Sequence, residues 1–210
     1  MSGRRAARFA LAAAVLVAAG CGGAGEEVVY HASYPVYTDP AALTEAASLV
    51  VVGAVLSSEV REIDVAAPSD SADPELNPAL GAPDEPEDSV LVFTVHQVRV
   101  TDVLQGDAEP GDVVEVSQLG GRLDGVVFRE EGAPMLRSGQ SYALYLQTYE
   151  SGNPASLLNA TQAAYLELGG GRFSALDESA PAVGAVVAEL TARVTDLRTR
   201  HADRSVPDER

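Results

Sequence analysis

The chain has 210 residues with 31 acidic and 14 basic side chains, a net charge of −17 and no lysine. A surface this acidic repels nucleic-acid phosphates and anionic lipid headgroups, which argues against nucleic acid as a partner. With 46% hydrophobic residues the chain can still bury a core, and its length suits one domain of about 100–150 residues plus tails.

The first elements form an address. Arg4, Arg5 and Arg8 precede an apolar, alanine-rich run from Phe9 to Ala19, followed by Gly20 and Cys21. A charged start, a short apolar run and small residues at the end describe a secretory signal peptide over residues 1–20, too short to span a bilayer. Val17-Ala18-Ala19-Gly20-Cys21 resembles the lipobox of bacterial lipoproteins, although Ala18 stands where leucine is usual. The resemblance implies cleavage between Gly20 and Cys21 and a diacylglyceryl group on the Cys21 sulfur. An ordinary signal peptide would leave this cysteine as an unpaired thiol, since the chain has no second one. Two acyl chains hold a protein at a membrane, because each buried methylene contributes about 0.8 kcal/mol. The expected location is therefore the outer side of the cytoplasmic membrane. Losing three arginines and no acid with the signal takes the charge from −17 to −20.

Residues 21–37 read as a flexible tether, beginning Gly22-Gly23-Ala24-Gly25. Thr38 or Asp39 can cap a short helix with Pro40 in its first turn. Leu49–Val52 is a consecutive apolar, β-branched run expected of a strand buried on both faces, and Gly53 marks a bulge or a close backbone approach. Residues 64–88 hold eight acids, five prolines and no base. Such a stretch cannot offset its ordering entropy and predicts a loose, solvated loop. A cation site there lacks the spacing of a calcium loop.

From Val90 to Gln105 the apolar positions change parity. Leu91, Phe93 and Val95 share one face while Val98 and Val100 fall on the other, which predicts a β-bulge near His96 and Gln97. Val114 and Val116 mark a further strand. Residues 120–139 read as a glycine-containing connection with an exposed tip at Arg129, Glu130 and Glu131. Tyr142, Leu144 and Leu146 alternate with Ala143, Tyr145 and Gln147, predicting a half-buried strand. A hairpin turns at Gly169-Gly170-Gly171. Val183, Val186, Val187, Leu190, Val194 and Leu197 at helical spacing predict an amphipathic helix over 179–200, with a frayed tail over 201–210.

The expected class is mainly β with flanking helices: a small bent barrel over 38–178 closed by the C-terminal helix. "SLVVVGAV", "VRVTDVLQGD", "GDVVEV" and "SGQSYALYL" resemble exported bacterial proteins of uncharacterised role whose core is likened to the netrin and metalloproteinase-inhibitor type of OB barrel. The resemblance implies that fold alone. The inhibitors act through a free N-terminal cysteine and are held by disulfides, and a chain with one acylated cysteine has neither.

No sequence motif assigns catalysis. His31, His96 and His201 lie in three separate segments, and no zinc motif, nucleophile elbow or phosphate loop is present. No catalytic residue, metal or cofactor is therefore expected. Tyr145 and Tyr149, on one parity of a strand, form a possible ligand face of the kind OB barrels use. These features predict a membrane-anchored, non-enzymatic binding or scaffold module whose partner is an envelope protein or a small ligand. The rival is an envelope enzyme or enzyme inhibitor with a site assembled in three dimensions, gathering His96 with two carboxylates, Arg122 or Arg129.

Overall fold

The computed structural model describes residues 26–64, 90–149, 152–178 and 183–204. The signal segment, Cys21, the glycines after it, the acidic loop beyond Asp64 and the tail beyond Arg204 lie outside the described residues.

The elements run β1 (Glu27–Tyr30), α1 (Pro40–Ala46), β2 (Leu49–Asp64), β3 (Val90–Gln105), β4 (Val113–Leu123) and β5 (Val126–Glu130). They continue with β6 (Ser141–Gln147), β7 (Ala155–Leu157), β8 (Ala164–Gly169), β9 (Arg172–Ala175) and α2 (Val183–Arg204). The chain is mainly β with flanking helices. One sheet takes the order β1-β5-β4-β3-β2-β6-β8-β9. β7 lies off that path, pairing β4 in parallel and β6 antiparallel.

Local chemistry explains several boundaries. Asp39 caps α1 by accepting from the Ala42 amide at 2.9 Å, and Pro40 follows in the first turn. Val50, Val51 and Val52 are each 0% exposed, and complete burial of such side chains contributes about 1.5–3 kcal/mol each. Gly53 is a close-approach residue: a Cβ there would sit 2.7 Å from the Arg99 carbonyl oxygen. The glycine hairpin joins β8 to β9 as expected. α2 buries Val186, Leu190 and Val194.

Four expectations need correction. Part of the expected tether is a strand, since β1 pairs in parallel with β5, Glu27 opposite Val127. Beyond it Tyr37 is held at both backbone groups by Gln162, at 3.0 and 2.8 Å. The expected bulge sits on the partner strand. Val55 pairs with Val98 and Ser57 with Gln97, so the extra residue is Leu56 of β2, which is exposed. On β3 the even positions from Val92 to Asp102 are all buried without a change of parity.

The third correction concerns residues 120–139, where β4 runs on into a hairpin with β5, Leu123 opposite Val126. The fourth concerns β6. Tyr142 to Leu146 are all 0% exposed, so this strand is covered on both faces. One face joins the core and the other lies under the helices.

Candidate functional site

β5 and the segment after β1 build the most distinctive polar site. The Arg129 guanidinium pairs with Glu27, and Glu131 meets Nδ1 of His31 at 2.8 Å; all four side chains are open to solvent. Glu130, between them, points the other way and is 8% exposed. A strand alternates faces, so two exposed charges enclose one inward residue. Reading all three as an exposed tip overlooked that alternation, because the strand itself went unrecognised.

Behind Glu130 lies a cavity of about 150 Å³, walled by Leu91 and Phe93 of β3, Leu119 of β4, and Leu157. Phe93 and Leu119 are direct cross-strand partners. Tyr34 lines the same space, with its hydroxyl set toward the Glu130 carboxylate. Burial pushes the Glu130 pKa above the usual carboxylate range, opposed by the Tyr34 hydrogen bond. Burial, followed by the neighbouring Glu130, pushes the Tyr34 phenol up, so it stays a donor at neutral pH. A second cavity of about 260 Å³ is also lined by Glu130 and Leu119, together with Phe128 and Met135.

The raised pKa makes a stability prediction. The folded state holds the Glu130 proton more tightly than the unfolded chain. Stability therefore falls as pH rises from the ordinary glutamate value, about 4.3, through the folded one. Glu130→Gln removes that slope and keeps an acceptor for Tyr34. The variant should melt higher than wild type at pH 7, with the gap closing below the ordinary glutamate range.

Of the two tyrosines expected to form a ligand face, only Tyr149 reaches this site. It is 46% exposed, and its hydroxyl lies 2.7 Å from Ser156 Oγ at the cavity wall. Tyr145 does not. It is buried beside Thr44 of α1 and Glu189 and Arg193 of α2; burial, with Glu189 adding to it and Thr44 and Arg193 opposing, pushes its phenol up to about 12. It packs edge-to-face on Tyr165 at 6.0 Å. The helices cover the strand face that alternation assigned to solvent.

His96 makes a different contact. Its Nδ1 lies 2.7 Å from Ser58 Oγ, a spacing suited to a nucleophile and its base. The side chain is 1% exposed and Nε2 has no hydrogen-bond partner. Burial lowers its pKa, so the ring is neutral at pH 7, and nearby Gln118 opposes that shift. The Gln118 amide is committed elsewhere, to the Pro134 carbonyl at 3.1 Å and the Leu136 amide at 2.8 Å. Among the described residues no carboxylate orients the ring. Arg122 donates to the Gly125 carbonyl and Arg129 to Glu27, so neither joins His96.

Among the described residues no group of three or more His, Cys, Asp or Glu is placed to hold a metal ion. None of the described helices is long and apolar enough to cross a membrane. No protein-family model, no curated protein and no solved structure matches the chain.

Proposed function

We propose that the chain is a lipid-anchored, extracytoplasmic binding module. The signal is cut between Gly20 and Cys21, Cys21 is acylated, and the β domain binds a small ligand or an envelope-protein side chain in the cavity at Glu130. The observation that carries the binding half is a buried carboxylate set into an apolar cavity with an exposed tyrosine at its rim. Such sites combine apolar walls with a few placed polar groups.

The domain itself is read as an OB-type barrel. The circuit of pairings supports this: β2 with β3, β3 with β4, β4 parallel with β7, β7 with β6, and β6 back to β2. Five strands in that order, with one parallel pair, match the Greek-key plan of the OB fold. The cavity wall on β3 and β4 then corresponds to the strand face such barrels use for ligands.

The anchor is tested in cells. Cys21→Ala should lose incorporated labelled fatty acid and move from the membrane fraction to the soluble one. A variant that keeps the label, or partitions like wild type, would overturn the anchor.

A further inference from the structure

We propose that the Glu130 cavity selects an ammonium group carried on an apolar body of about phenyl size. This rests on reading the cavity as the binding site. The Glu130 carboxylate has acceptor capacity to spare. A carboxylate accepts about four hydrogen bonds, and Tyr34, which lines the same cavity, is the hydroxyl that lies toward Glu130. None of the ion pairs among the described residues includes it. Arg129 faces Glu27, His31 faces Glu131, and Arg122 serves the Gly125 carbonyl. The chain has no lysine to supply an ammonium of its own. A buried, uncompensated carboxylate is costly, and an incoming cation offsets that cost while favouring the charged form.

The apolar half concerns size and walls. A cavity of about 150 Å³ matches one known to accept benzene. Leu91, Phe93, Leu119 and Leu157 give it hydrocarbon walls, and Tyr34 and Phe93 add ring surfaces that attract cations. Tyr149 and Ser156 form a rim open to solvent. The net charge of −17 raises the local concentration of any cationic ligand. The ammonium can belong to a free amine or to a lysine side chain of an envelope protein; the chemistry at Glu130 is the same.

The test compares benzylamine, benzyl alcohol and N-acetyl-lysine amide on the folded domain at pH 7.5, by titration followed by NMR or calorimetry. A hydrogen bond to a charged group corresponds to about tenfold or more in affinity. Benzylamine should bind tighter than benzyl alcohol by that factor, and Glu130→Gln should erase the difference. Lowering the pH below the ordinary glutamate range should erase it too, because the carboxyl then takes a proton. Tighter binding of the lysine amide than of benzylamine would support a protein side chain as the source, and the reverse a free amine. Equal binding of benzylamine and benzyl alcohol, or amine binding unchanged in Glu130→Gln, would overturn the ammonium class and leave the cavity as a ligand site. Failure of all three probes to bind would overturn the cavity reading as well, and the Cys21 experiment would stand apart from it.

Discussion

Arg198→Ala should lower stability by about 2–3 kcal/mol, because it strands two buried carboxylates. For a domain of this size the melting temperature should drop by about 5–10 °C. Arg198 stands one turn beyond Val194, the last buried apolar residue of α2. Its Nε and Nη2 contact Asp102 of β3, Nη2 at 2.5 Å, and its Nη1 donates to Glu167 of β8 at 2.8 Å. The side chains of Asp102 and Glu167 are 7% and 12% exposed, that of Arg198 37%. Its hydrogen bonds to Asp102, the leading cause, raise the guanidinium pKa, so the arginine stays charged. Solvent screens so open a guanidinium, and the ion pair itself contributes modestly. The larger loss is desolvation with little compensation, since both carboxylates stay largely covered after the guanidinium is gone and Thr101 Oγ1, at 3.0 Å, still donates to Asp102.

Two further substitutions separate these effects. Arg198→Lys should recover only part of the loss, because an ammonium cannot serve two carboxylates with the fixed fork of a guanidinium. Asp102→Asn together with Arg198→Ala should cost less than the two single changes added, since Asp102→Asn removes the charge that Arg198→Ala leaves alone. Urea unfolding at pH 7 measures all of them. A change below about 0.5 kcal/mol in Arg198→Ala, the range of an ordinary surface substitution, would overturn the clamp.

How far the sequence reaches depends on what its patterns can report. The apolar run at Leu49–Val52, the spacing of α2, the Asp39 cap and the glycine hairpin are local signals, and each appears in the structure where it was expected. Tyr145 shows where alternation stops being informative. Ala143, Tyr145 and Gln147 have the same period whether water or a helix covers them, and α1 and α2 are supplied by distant parts of the chain. Glu130 fails for a related reason. Three charged residues in a row look solvated, and the middle one turns inward because they lie on a strand, β5, whose partner β1 arrives from about 100 residues upstream. Period and charge describe one strand; a site made where several cross needs contacts that no single segment records. The bulge adds a smaller lesson. The break in the β3 pattern was real evidence of a register shift, but the extra residue lay on the neighbouring strand.

The stretch "VLQGD" leads to the second large effect, Gly106→Ala, expected to cost about 3–4 kcal/mol. In sequence it marks only the end of a strand. In the structure it fastens both helices to the sheet. The Leu104 carbonyl accepts from Arg193 of α2 at 2.9 Å. The Gln105 amide donates to the carbonyls of Thr44 and Ala47 at 3.0 and 2.6 Å, satisfying the end of α1. Gly106 then turns with φ +91°, and a Cβ on it would lie 2.4 Å from the Ser48 carbonyl oxygen and 3.0 Å from Leu49 Cα. Neither neighbour can retreat cheaply: the Ser48 amide is bonded to Leu146 at 3.0 Å, and Leu49 is 3% exposed. Backbone strain and collision therefore add. Gly111→Ala isolates the first of these, because Gly111 has φ +104° with nothing within 4 Å of an added Cβ. Its expected cost is the left-handed penalty alone, about 1–2 kcal/mol. The difference between the two glycines, read by denaturant unfolding, measures how tightly the α1–β2 junction is held against the end of β3. Equal losses at both positions would mean that the junction yields, and that the clamp at Gln105 does not fix it.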